Sequence, residues 1–79
     1  MKNVILYTES NNVYCVTTKM FLDSKKIKYE ERNITDHSGY ALEAESYGII
    51  GTPLVVPSPE YNIQPWGGYV PDKLAELTK

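Results

Sequence analysis

Few residues in this chain could do chemistry, and one of them stands alone. Cys15 is the single cysteine of the 79 residues, and it closes the stretch Tyr7-Thr8-Glu9-Ser10-Asn11-Asn12-Val13-Tyr14-Cys15. A short apolar run, Val4-Ile5-Leu6-Tyr7, leads into that stretch, and a segment of helical spacing follows it. A thiol in the first turn of a helix is favoured as thiolate by the unpaired N–H groups and the helix dipole. A strand-to-helix loop carrying such a cysteine is a common setting for thiol–disulfide exchange. In a C-x-x-C pair the first cysteine attacks a disulfide, and the second, one turn further in, resolves the mixed disulfide. Cys15 holds the second of these places, and the first is Asn12. The competing reading makes Cys15 a small buried hydrophobe of the helix.

Two further stretches could build a site. Thr52-Pro53 precedes an apolar run, and a proline entering a buried strand costs a ladder donor. A cis peptide bond would account for it and leave the Thr52 backbone free to pair with an extended ligand. A trans proline at the first position of a strand is the alternative. Trp66-Gly67-Gly68-Tyr69 joins aromatics to glycines that permit close backbone approach. Its alternative is a turn beside a core aromatic. Asp36-His37-Ser38 holds the single histidine, but consecutive residues rarely face one another, and a solvated turn with a helix cap accounts for it. The seven tyrosines read as amphipathic core and rim residues. His37 has no cysteine partner at zinc spacing, so no metal site is expected.

These residues need a scaffold, and the hydrophobic pattern supplies one. Residues 2–8 read as a strand, with 4–7 apolar enough to be covered on both faces. Asn11 or Asn12 can cap a helix over about 13–25, in which Val13, Val16, Met20 and Phe21 recur at three- and four-residue spacing. Lys25 and Lys26 fall at its C-terminal end. Residues 27–34 alternate like an edge strand. Residues 39–47 form a second helix offering Tyr40, Leu42, Ala44 and Tyr47 for packing, with Gly48 to end it. Leu54-Val55-Val56 is a central strand, and Pro57-Ser58-Pro59-Glu60 a turn. Residues 61–66 form a fourth strand that Pro65 confines to an edge. Pro71 opens a last helix ending near Leu77. The order is βαβαββα in one domain over residues 1–79. The first βαβ unit should be parallel and right-handed, and the last two strands a hairpin.

Composition narrows the classes of function. The chain is 42% hydrophobic and 23% charged, with formal net charge -2, which suits an ordinary globular domain and gives no pull toward nucleic acid or an anionic membrane. No apolar run approaches the roughly 20 residues that cross a bilayer. Met1-Lys2-Asn3 leads directly into the first strand, so no signal peptide is expected. A small domain with one cysteine lacks the disulfide staples of secreted domains of its size, and a cytoplasmic location is expected.

Taken together, these pieces resemble the glutaredoxin family of the thioredoxin superfamily, and among its branches the NrdH-type redoxins. The resemblance runs over nearly the whole chain: Val4-Ile5-Leu6-Tyr7-Thr8, the loop into Val13-Tyr14-Cys15, Gly48, Thr52-Pro53, and Trp66-Gly67-Gly68-Tyr69-Val70-Pro71-Asp72-Lys73. It implies an α/β thioredoxin-like fold, a four-stranded mixed sheet with three helices. It implies a cis Pro53 facing the Cys15 loop. It also implies a substrate groove lined by Val13, Tyr14, Thr52, Pro53, Trp66, Gly67, Gly68 and Tyr69. In the family, NrdH-type members pass electrons from thioredoxin reductase to ribonucleotide reductase, whereas ordinary glutaredoxins use glutathione. Val70-Pro71 stands where glutathione-binding members carry an acidic or hydroxyl residue, which leans away from glutathione. A monomer without cofactor is implied.

Asn12 departs from the family pattern. An amide forms no mixed disulfide, so the dithiol cycle is closed. Monothiol members keep the first cysteine rather than the second, and an iron–sulfur cluster would hang on that first cysteine. Peroxiredoxins of the same superfamily do carry their reactive cysteine at the second place, within Pro-x-x-x-Thr-x-x-Cys. Here Thr8 and Asn12 fill the positions of the proline and threonine. Two readings follow: a redoxin of the thiol–disulfide oxidoreductase class in which Cys15 keeps some thiol chemistry, or a non-catalytic module that holds an extended protein segment in the former substrate groove.

Overall fold

The computed structural model describes residues 2–79. The elements run β1 (Val4–Thr8), α1 (Val13–Ser24), β2 (Tyr29–Asn33), α2 (Ser38–Glu45), β3 (Leu54–Pro57), β4 (Trp66–Gly67) and α3 (Pro71–Glu76), with a short 3-10 turn at Pro59–Tyr61. The sheet order is β2-β1-β3-β4. Strand β1 pairs parallel with β2 and antiparallel with β3, and β3 pairs antiparallel with β4. The βαβαββα order, the mixed four-stranded sheet and its three helices are those of the thioredoxin-like fold.

The period of two along β1 divides the molecule into layers. Val4 and Leu6 point to one face and join Leu22 of α1, Val55, Trp66, Leu74 of α3 and the adjoining Leu77 in one buried cluster. Helices α1 and α3 therefore share that face. Tyr7, also buried, points to the other, where α2 packs. The Tyr7 hydroxyl donates to Glu43 Oε1 at 2.9 Å, and its ring lies 6.1 Å from that of Tyr47. Arg32 of β2 closes the arrangement, reaching Glu43 Oε1 and Glu30 Oε2, each at 2.6 Å. Burial, seconded by the bond to Glu43, pushes the Tyr7 phenol up to about 12. It is a neutral donor at any physiological pH.

On the opposite face Glu31 accepts from Thr8 Oγ1 at 2.8 Å and pairs with Lys19 of α1 at 3.1 Å. Burial pushes its carboxyl up, but the bonds from Thr8 and Lys19 outweigh that and hold it low. Edge strand β2 is thus clamped to α1 through one face and to α2 through the other, with few apolar contacts of its own.

Three expectations are corrected. The stripe Val13, Val16 and Met20 of α1 faces solvent, with Met20 66% exposed. The buried side of that helix is Cys15, Thr18 and Leu22. Thr18 can be buried because its hydroxyl donates to the Tyr14 carbonyl at 2.8 Å, within the helix. Helix α2 buries no residue, and Leu42 is exposed, because this short helix touches the sheet mainly through tyrosine and carboxylate contacts. The fourth strand is only Trp66–Gly67, since Pro59–Tyr61 turns as a 3-10 helix and Asn62 adopts a left-handed conformation, so the strand starts later than the expected residue 61.

The corrected face of α1 has a direct consequence for stability. Leu22→Ala removes a fully buried side chain and should cost about 2–5 kcal/mol. Met20→Ala should stay within about 0.5 kcal/mol of the parent. Urea denaturation of the two variants checks both, and equal losses would overturn the assignment of faces.

Candidate functional site

The loop after β1 delivers its side chains to the first turn of α1. Asn12 is the helix N-cap, in extended conformation, and its Oδ1 accepts from the Tyr14 N–H at 2.9 Å. This is the usual work of an N-cap amide, which satisfies one of the orphan donors of the first turn. The other end of the amide faces the loop before β3. Asn12 Nδ2 donates to Thr52 Oγ1 at 3.1 Å and to Glu9 Oε1 at 3.3 Å. The Thr52 hydroxyl in turn donates to Glu9 Oε1 at 2.7 Å. Three side chains from two loops thereby form one closed set of bonds. The bonds from Thr52 and then Asn12 hold the Glu9 carboxyl below the usual glutamate range.

Cys15 lies below this surface, one turn into α1. It is 2% exposed, and the Glu9 main-chain N–H points at its Sγ from 3.4 Å. Burial pushes the thiol up, and the single N–H from Glu9 opposes but does not cancel that. The Glu9 and Glu31 charges also push it up, against Lys19. A helix N-terminus lowers a thiol only when burial does not dominate. Here burial dominates.

The Thr52–Pro53 peptide bond is cis. Pro53 itself is buried, and its carbonyl accepts from the Gly68 N–H at 2.7 Å. That bond joins the end of β4 to the start of β3. The fit there is close: a Cβ on Gly67 would lie 2.5 Å from the Ile50 carbonyl oxygen. Only glycine admits this approach. Gly68 has φ +90, a conformation open to glycine at no steric cost. The main-chain N–H and C=O of Thr52 make no hydrogen bond among the described residues, so they remain available to an added strand.

The groove that results has aromatic and apolar rims. Tyr14 and Tyr69 stack, with ring centroids 6.5 Å apart and planes 15° from parallel. Val13 and Tyr14 are 67% and 57% exposed, and Ile50, two residues before Thr52, is 96% exposed. Asn12, Tyr14, Thr52, Gly68 and Tyr69 therefore meet around one surface, with Val13 at its edge and Pro53 and Gly67 shaping its floor. Trp66 does not join them. It is 5% exposed, within the core cluster, because the alternation along β4 that leaves Gly67 at the groove sends its neighbour inward. Its indole Nε1 is buried with no partner among the described residues. The sequence pattern alone does not mark Glu9 as a site residue. Its place three residues before Asn12, in a loop entering a helix cap, was the available signal.

The glutaredoxin family model matches residues 4–57. None of the curated proteins matches this chain. Among solved structures it is similar to the glutaredoxin-like protein NrdH-redoxin from Escherichia coli, at 23% identity and a TM-score of 0.82 over 95% of this chain and 93% of that one. It is also similar to the thioredoxin-like protein BC3987, at 25% identity and 0.80, over 95% and 99%. Glutaredoxin 1 from Francisella tularensis matches at 20% identity and 0.65, over 95% and 90%.

Two measurements test the site geometry. Asn12→Ala should lower stability by about 1 kcal/mol through loss of the cap, read by urea denaturation. In the same variant the Glu9 carboxyl should titrate closer to the ordinary glutamate range by NMR. Because the native carboxyl is depressed, its stabilising contribution is complete above the unfolded-state pKa and is lost as pH falls through the native one. Cys15 should alkylate slowly, with a pH midpoint above that of the unfolded chain. A midpoint below it would contradict the dominance of burial.

Proposed function

The chain belongs to the glutaredoxin family, and from that premise we propose that it is an NrdH-like redoxin fold whose groove holds an extended protein segment without forming a mixed disulfide at position 12. One observation carries this reading. The Asn12 amide fills the place of the attacking thiol and is bonded at both ends, to the helix N-terminus and to Thr52 and Glu9. The groove beside it keeps an unpaired main chain at Thr52 and two stacked tyrosines. Those are the parts that recognise a substrate, as distinct from the part that reacts with one.

The occupant in this reading is a protein segment, in keeping with the NrdH-type resemblance, whose members serve ribonucleotide reductase and thioredoxin reductase. Glutathione is the poorer fit, given Val70-Pro71 after Tyr69. No helix among the described residues is long and apolar enough to cross a membrane, and a cytoplasmic protein is proposed. No group of three or more metal-ligating residues occurs among the described residues.

A second reading keeps Cys15 as a reactive thiol within the thiol–disulfide exchange class. The Glu9 N–H aimed at its sulfur favours it, since that donor would stabilise a thiolate once formed. The burial and raised pKa of Cys15 weigh against it.

Insulin reduction with dithiothreitol separates the two. The native protein should add nothing to the background rate. Asn12→Cys should restore a C-x-x-C pair on an intact scaffold and give clear turnover. Activity in the native protein that is lost in Cys15→Ser would establish the second reading instead.

A further inference from the structure

Behind Glu9 and Thr52, a cleft of about 370 Å³ opens between α2 and the loop that leads to β3, within the range of roughly 300–1,000 Å³ usual for ligand pockets. Its walls are Ile34, Ala44, Ile49 and Leu54, and its two charged lining residues are Glu9 and Glu45. Glu9 and Thr52 belong to both the cleft and the groove, so the two are continuous. A segment paired at the Thr52 main chain would project alternate side chains to either side, one of them toward the cleft.

The charges of the molecule are not evenly compensated. Glu30 and Glu43 share Arg32, and Glu31 has Lys19. Neither Glu9 nor Glu45 is ion-paired with any described residue. Glu9 is also kept ionised by the hydroxyl and amide that donate to it. The cleft thus combines apolar walls with two carboxylates that lack a counter-charge. A long basic side chain matches both parts, since its methylene stem can lie on the apolar walls while its head meets the carboxylates. A carboxylate-bearing ligand would meet like charge instead.

We propose that this cleft is a specificity pocket for a lysine or arginine side chain of the extended partner segment held in the groove. The inference rests on the groove reading above and deepens it, by assigning the charge of the segment. It places Glu45 and Glu9 as the residues that select the partner, and the half-buried Ile34 and Ile49 as the surface on which the stem lies.

The probe is a fluorescein-labelled heptapeptide of valines and threonines with lysine at its centre, compared with glutamate-centred and norleucine-centred counterparts by fluorescence anisotropy. The lysine peptide should bind about tenfold more tightly than the norleucine peptide and more tightly still than the glutamate peptide, with a preference that shrinks as salt is raised. Glu45→Gln should reduce that preference, and Glu45→Lys should reverse it toward glutamate. The exposed position of Glu45 makes both variants compatible with folding, which thermal denaturation verifies. If all three peptides bind alike and compete at the groove, the groove reading stands and the charge assignment is overturned. If none binds, the groove reading itself fails and takes the pocket with it.

Discussion

The amide of Asn12 is the joint on which the site depends. It caps α1 with its oxygen and reaches across to Thr52 and Glu9 with its nitrogen. Without the first bond an orphan donor at the start of α1 loses its side-chain acceptor. Without the others, the loop after β1 and the loop before β3 lose their side-chain connection at the surface. A cysteine at this position could not make the same set of bonds, because a thiol is a weak donor and a weak acceptor. Position 12 therefore carries a structural tie, and the Glu9 carboxylate is held charged as part of it.

The rest of the fold serves to present that joint. Alternation along β1 sends Val4 and Leu6 to the core under α1 and α3, and Tyr7 to the side of α2. The two faces are stabilised differently. The first is an aliphatic cluster closed by Trp66. The second is a polar arrangement in which Arg32, Glu43 and the Tyr7 hydroxyl converge. An exposed ion pair alone contributes little, but here Arg32 meets two carboxylates and a phenol that burial keeps neutral. That difference bears on the cleft. On the α2 side the packing is thin enough to leave space between Ile49, Ala44 and Leu54, whereas the α1 side carries the buried aliphatic cluster.

Much of this was legible in the residues. The apolar run of β1, the cap at Asn12, the proline that opens α3 and the glycine that ends α2 each announce an element through local physics, and their order is enough to specify the layers. The inner face of α1 was not legible. Val13, Val16 and Met20 are the more hydrophobic choice by type, yet Cys15, Thr18 and Leu22 are buried, because Thr18 satisfies its hydroxyl inside the helix and so counts as apolar in place. The late start of β4 was hidden as well: a left-handed Asn62 keeps the segment before Trp66 out of the strand, and asparagine signals that conformation only weakly. Trp66 illustrates a limit of motif reasoning. Its neighbours Gly67 and Gly68 shape the groove, but a strand cannot send adjacent side chains to the same face. Glu9 was missed because its role arises only when Thr52 is brought beside it by the sheet.

Trp66 has one more consequence. It is the chain's single tryptophan, sealed in the core with no partner on its indole nitrogen among the described residues, and it adjoins the glycine that forms the groove floor. An indole held dry in this way emits at shorter wavelength than one in water. The molecule carries its own optical reporter, which moves to the red when the core opens and is separated from the groove by a single peptide unit. Folding can be followed by the light of one residue, with no label added.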